Sequence, residues 1–552
     1  MGNKFVYILH LWEKAIIISV FFYIGYHFGG LLLRSFSPGG LTDFHVYYYI
    51  PKAIMNLARP EAPYTNFVPI HPYFFPPGSM ILFKPILLLP FYQAKIVWTM
   101  LNFCLFIISF YLINKMAGGN YYAGLIICLL AGFFFFPFQF TILDGQFNIV
   151  LLFLLSGSLY SYLSKKNGSS GVLLGIGTIT KISPFLLVLY ASWKKRYTTV
   201  LLSIVIILVF SALAEIYVKN GVNFYYFRHV VNKVSTQSDG GWTDQSLLGF
   251  IKSVNVDLPV FHIFGPVLTE DVMKSLVSYV IVGSALIGFL LVDLRKRKSK
   301  VGSIVDYSIL ISIGIIGTGL TWYHQYTMFL LPILCLFFIS VFWIKKKYSI
   351  LFLSLVLVVY LIINQYLGGK AVGPLHKNMF FGGVLLIFLY MTLKSKPDLV
   401  RLKMFDTPLK KIELRKKYFY VVSLIFAAGV IAGIQPGELS EKLKEYRDSS
   451  RIQQINYMGN VLDETRPHYV IGESNSSIRT EKLDEGYILF AYDEHNKVRE
   501  KMSILYLDPV NDKTYNYIFR SENGQTFSLN AKMESNKYIN IYGEYYEYET
   551  NK

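Results

Sequence analysis

Apolar residues run through this chain in long blocks, not in the short alternations of a soluble core. The blocks fall at Ala15–Leu33, Phe91–Lys115, 121–140, 147–163, 198–218, 275–293, 302–321, 325–344, 349–367, 376–393 and 418–434. A membrane-spanning helix needs roughly 20 mostly apolar residues. The pattern therefore predicts an all-α polytopic membrane protein of about 11 spans. The first block is too long for a signal-peptide core and lacks a small-residue cleavage site, so it reads as a retained helix.

One segment breaks the alternation. Residues 171–193 carry Gly171, Gly175, Thr180, Lys181, Ser183 and Pro184 and have basic clusters on both sides. A short re-entrant pair of helices turning near Lys181–Pro184 keeps both clusters on one side. Broken backbone at that depth needs protein or a water-filled cavity around it, so a cavity is expected there.

Two long segments, 34–90 and 219–274, lie between blocks on the opposite side. Loops of this length are usually functional. Phe44–Ala58 fits a helix along the membrane surface. The tail is different material. Glu438–Arg447 reads as a helix, and Tyr487–Tyr492, Met502–Leu507, Tyr515–Phe519, Phe527–Leu529 and Tyr538–Tyr546 read as strands separated by turn residues. The expected division is a membrane domain over 1–434 and a small β-rich extracytoplasmic domain over 435–552.

Composition sharpens this picture. Of 552 residues, 53% are hydrophobic and 16% charged, against about 25% charged in soluble domains. The net charge of +18 is unevenly placed: residues 1–434 carry +23 and 435–552 carry −5. The positive excess sits in short clusters, Lys165-Lys166, Lys194 to Arg196, Arg295 to Lys298, Lys345 to Lys347 and Lys394 to Lys417. These act as topology signals, with the clusters and the N-terminus cytoplasmic. No nucleic-acid partner is implied. Cys104, Cys128 and Cys335 lie in apolar runs and offer no disulfide framework or metal spacing.

Polar groups in or beside apolar blocks are costly and are functional candidates. Asp43 follows the first block and opens an aromatic run. Desolvation there raises a carboxylate's pKa and can poise it as a general base; the alternative is a helix cap. Asp144-Gly145-Gln146 with Asn148 forms an outer turn that is either an ordinary turn or a sugar-binding rim. Lys181 wants an anion, and a phosphate suits it; snorkelling is the alternative. Arg228, His229 and His324 are further candidates for the same anion. Asp244-Gln245-Ser246-Leu247 and Gln325 are candidates for the cavity lining. There is no P-loop and no dinucleotide motif, and no His/Asp/Glu set has metal-ligand spacing, so neither metal nor cofactor is expected.

In order along the chain, these motifs resemble glycosyltransferase family 87 of the GT-C superfamily, the polyprenyl-phosphate-mannose-dependent alpha-1,2-mannosyltransferase-like proteins. The resemblance rests on Asp43, Pro63-Tyr64, Tyr73 to Pro77, Gly145-Gln146-x-Asn148, Gly171-x-x-x-Gly175 with Thr180-Lys181-x-x-Pro184, Asp244 to Leu247, and Trp322 to Gln325. Asp244 and Gln325 depart from the family's Asn and second His. The resemblance implies a polyprenyl-phosphate donor carrying a hexose, mannose by the family's pattern, a glycan or glycolipid acceptor outside the cell (inner) membrane, and inversion at the anomeric carbon. Asp43 would serve as base, and Lys181, His324, Gln146, Asn148, Arg228, His229, Gln245 and Gln325 would bind substrate. A flippase or transporter, or a polymerase or ligase of lipid-linked glycans, remains the competing reading.

Overall fold

A computed structural model gives the fold and describes residues 2–35, 42–54, 73–117, 131–132, 135–218, 220–236, 244–254, 270–291, 300–342, 344, 348, 352, 355–356, 378–395, 416–434, 436–465, 480–483, 486–492, 498–503, 517–520 and 528–549. Among the described residues the regular elements of the membrane part are helices. Its helices are α1 (Gly2–Ser35), α2 (Thr42–Ile54), α3 (Gly78–Leu87), α4 (Phe91–Ala117), α5 (Phe136–Asp144), α6 (Asn148–Leu163), α7 (Asn167–Thr180), α8 (Phe185–Trp193) and α9 (Tyr197–Tyr217). Two short helices, α10 (Val222–Tyr225) and α11 (Val231–Thr236), flank a π-turn over Tyr226–Val230. Then come α12 (Leu247–Val254), α13 (Glu270–Leu291), α14 (Lys300–Ile316), a 3-10 turn over Tyr323–Phe329, α15 (Leu330–Phe342), α16 (Asn378–Ser395) and α17 (Lys416–Ile434).

Three stretches among the described residues are long and apolar enough to cross a membrane: Gln93–Met116, Tyr197–Tyr217 and Tyr323–Ser340. Helices α1, α13, α16 and α17, of 34, 22, 18 and 19 residues, also coincide with apolar blocks of the sequence. The block at 302–321 is helical only to Ile316, the block at 121–140 shows α5 as its longest described piece, and most of 349–367, with Pro63-Tyr64 and Cys128, lies outside the described residues. The Tyr323–Ser340 stretch is almost wholly enclosed, whereas Leu201, Leu208 and Ile216 of α9 are exposed. A helix apolar all round belongs in a core or in lipid, and these two show the two environments.

The helix break falls at the expected place. α7 ends at Thr180, Lys181 is extended (φ −156°, ψ 136°), and Pro184 precedes α8. Glycines set the spacing of α7 against α9. A Cβ on Gly171 would meet the Thr199 carbonyl oxygen at 2.4 Å, and one on Gly175 would meet Ile206 Cβ at 2.7 Å. Close backbone approach of this kind is the role of small residues four apart. At the end carrying two of the basic clusters, buried Asp306 pairs with Lys394 at 3.0 Å and Lys194 at 3.4 Å and accepts from the Tyr190 hydroxyl at 3.0 Å. Cationic residues expected on one side of the membrane thus converge on a single carboxylate.

The described residues of the tail form a long helix, α18 (Pro436–Thr465), six strands and a short helix, α19 (Asn536–Tyr542). Strands β1 (Thr480–Leu483), β2 (Gly486–Tyr492) and β3 (Val498–Ser503) form one antiparallel sheet, and β4 (Tyr517–Arg520), β5 (Ser528–Lys532) and β6 (Tyr545–Glu549) form another. The run Tyr538–Tyr546, expected as one strand, is split between α19 and β6. Ser535 caps the helix by accepting from the Tyr538 N–H, and Gly543 at φ +83° turns the chain out of it. Ile455, Ala531 and Met533 of the tail share a buried cluster with Phe44, Tyr47, Phe83, Trp98 and Phe147. The tail therefore packs on the end of the bundle that carries Asp43.

Candidate active site

A cavity of about 940 Å³ lies between the helix ends, and Asp43, Asp144, Gln146, Lys181, His324 and Gln325 all line it. Each is delivered by a different local device. α2 carries Asp43 in its first turn, where the positive end of the helix dipole favours a carboxylate. Its aromatic face anchors it: Tyr47 stacks on Phe83 with centroids 5.1 Å apart, and Phe44 lies 5.9 Å from Phe91 and from Trp98. α2 overlaps the helix expected over Phe44–Ala58, and its Phe44, Tyr47 and Tyr48 are buried in the protein.

The turn after α5 supplies the next two groups. Gly145 is left-handed (φ 71°, ψ 30°) and caps α5. Trp98 Nε1 donates to the Gly145 carbonyl at 2.7 Å, fixing the turn. Gln146 Nε2 donates to Asp43 Oδ2, and the Tyr47 hydroxyl donates to Gln146 Oε1 at 2.6 Å. The Asp144 carboxyl is raised to about 8 by burial and then by the charge of Asp43.

His324 and Gln325 come from the 3-10 turn before α15. The Thr141 hydroxyl lies 3.1 Å from the His324 carbonyl oxygen and 2.7 Å from the Thr327 hydroxyl, tying this turn to α5. Lys181 Nζ donates to Gln325 Oε1, joining the break between α7 and α8 to the same turn.

The remaining expected residues stand elsewhere. Asp244-Gln245-Ser246 forms a buried clasp. Asp244 Oδ1 accepts from Ser246 N at 3.0 Å and Thr321 N at 3.3 Å, Gln245 Oε1 accepts from Met379 N at 3.2 Å, and the Tyr326 hydroxyl donates to the Gln245 carbonyl at 2.7 Å. These polar groups are occupied by backbone partners, and none lines the cavity. The clasp holds the Trp322 segment that presents His324. Asn148 is buried at the start of α6, also off the lining. Arg228 and His229 are exposed, the guanidinium 5.7 Å from the Phe224 ring centroid and the imidazole 4.7 Å from that of Tyr225. The π-turn presents Tyr226 to the cavity instead, and α11 after it presents Val231 and Lys233. An i→i+5 turn shifts the helical phase, which residue spacing does not reveal.

Folding also assembles a set that spacing concealed. Ligand atoms of Asp43, Asp144 and His324 all lie within 4.8 Å of one another.

Residues 73–314 match glycosyltransferase family 87. The family-87 match includes Gln146, Lys181 and the Asp244 clasp, and it stops short of Asp43 on one side and His324 on the other. It supports glycosyltransferase activity, with a sugar donor and an acceptor as substrates. No curated protein matches the chain.

Proposed function

We propose that this protein is a membrane glycosyltransferase that moves a hexose, mannose in the reading its motifs favour, from a polyprenyl-phosphate donor to an extracytoplasmic glycan or glycolipid. The observation that carries the proposal is the shared cavity: Asp43, held by Gln146, and Lys181, at a helix break, line one hollow. The acceptor hydroxyl attacks the anomeric carbon, its proton passes to Asp43, and the bond from that carbon to the phosphate oxygen breaks. Polyprenyl phosphate leaves, and a single displacement inverts the centre. Lys181, with Gln325 and His324 beside it, faces the leaving phosphate, whose charge needs a cation more than a proton. Ile182, Phe185, Leu186, Val282, Leu286 and Ile313 continue the lining as an apolar wall suited to a lipid chain. The tail shares its core with α2, which supports an outward site in the cell (inner) membrane with the tail over it.

Membranes containing the protein, supplied with radiolabelled polyprenyl-phosphate mannose and a mixed acceptor fraction, test this. Transfer of label to acceptor is expected, with a loss of about 10²–10⁴-fold in Asp43→Asn, the range for removing a general base. Movement of the labelled lipid across the bilayer without a new glycosidic bond would instead establish the flippase reading.

A further inference from the structure

Asp43, Asp144 and His324 come from three separate elements, so no local turn imposes their meeting. Two carboxylate oxygens and one imidazole nitrogen nevertheless converge to within 4.8 Å. His324 is only 5% exposed, its backbone carbonyl rather than its ring meets Thr141, and the residue faces the cavity. Among the described residues no hydrogen bond to its imidazole is found. An enclosed polar ring normally has a partner, and two neighbouring carboxylates normally repel. A bound cation answers both conditions.

We propose that Asp43, Asp144 and His324 form a binding site for one divalent metal ion of the Mn²⁺ or Zn²⁺ class. The mixed donor set points to that class, since imidazole suits Zn²⁺ and carboxylate suits Mn²⁺. Ligand atoms about 2.0–2.2 Å from one ion lie roughly 3–4 Å apart, so the set closes with side-chain shifts of about 1 Å. A carboxylate has two oxygens, so Asp43 binds through one and keeps the Gln146 amide on the other. Lys181 lines the same cavity, but its Nζ is turned to Gln325. Three protein ligands leave the remaining positions open to the cavity for water or a phosphate oxygen. The site stands on the geometry alone and does not depend on sugar transfer.

The full-length protein in detergent, stripped by a chelator and dialysed, is titrated with MnCl₂ alone while the paramagnetic resonance of free Mn²⁺ is followed, with ZnCl₂ as competitor. One ion per chain is expected, with affinity falling about tenfold or more in both Asp144→Asn and His324→Gln. Absence of saturable binding, or binding that both variants leave within twofold, overturns the proposal. If either variant fails to fold, labelling of His324 by diethyl pyrocarbonate in the unaltered chain, read by peptide mass spectrometry, decides. Mn²⁺ should slow it at least fivefold, and an unchanged rate overturns the site. Since no sugar is present, failure of the transferase reading leaves this result standing.

Discussion

The Gln146 amide donates to Oδ2 of Asp43, and the same Gln146 accepts from Tyr47 through its other side-chain atom. The carboxylate is thus aimed by a side chain from the α5–α6 turn, which is itself held by a buried tyrosine of α2. Gln146→Leu removes the aiming donor without changing charge. Support of this kind is worth about 10–100-fold, so kcat for label transfer should fall by that factor while the donor KM stays within about threefold. Gln146→Glu should be no better, because it sets a second carboxylate against Asp43.

Lys181 should act on the donor. A hydrogen bond to a charged group contributes about 1.5–3 kcal/mol, or roughly 10–150-fold in kcat/KM. Lys181→Met is expected to lose that much, and Lys181→Arg to keep more of it. Steady-state transfer at varied polyprenyl-phosphate sugar concentration measures both, and equal values for the two variants would remove Lys181 from the phosphate.

Much of this site was legible in the sequence because membrane depth makes polar residues conspicuous. Asp43, Gln146, Lys181, His324 and Gln325 all line the cavity, and the break at Lys181–Pro184 could be read from Ser183, Pro184 and the charge of Lys181 itself. Long-range pairing was not legible. Nothing in the spacing links Asp144 to His324, and nothing marks Asp244-Gln245-Ser246 as a clasp whose polar groups are used by Thr321, Ser246 and Met379. Spacing points to Arg228, whereas Lys233 reaches the cavity after the π-turn over Tyr226–Val230. Hydropathy finds blocks but not how much of each is one straight helix: the block at 302–321 is helical only to Ile316.

The glycines of α7 offer a test of how Lys181 is placed. Gly171 leaves no room for a side chain against Thr199, and Ser203 Oγ donates to the Gly171 carbonyl at 2.9 Å. Gly171→Val must push α7 from α9 and shift the Lys181 end of the helix. Overpacking costs about 1–3 kcal/mol. A lower thermal midpoint in detergent is expected, together with a raised donor KM. A normal KM in a destabilised variant would show that the break is positioned from α8 or from Gln325 instead.

The tail is joined by a buried charge network that makes its stability depend on pH. Arg451, fully enclosed, pairs with Asp448 at 2.8 Å and Glu534 at 2.6 Å, while Arg447 Nε donates to Glu534 at 2.8 Å. Asp448 also accepts from the backbone N–H groups of Glu534 and Ser535 at 2.9 and 2.7 Å, bolting α18 to the chain after β5. Burial raises the Glu534 pKa, but the two arginines outweigh it and hold the carboxyl below its ordinary 4.5. A depressed folded-state pKa adds stability that is complete above the unfolded value and disappears as pH falls through the folded one. The tail should therefore keep its stability down to about pH 4.5 and lose it progressively below that. Glu534→Gln should flatten this acid slope and cost about 3 kcal/mol at neutral pH, the range for removing one member of a buried pair. Hydrogen exchange of α18 and β5 between pH 3 and 7 reads both effects. An acid slope that survives the substitution would assign it to other carboxyls of the tail.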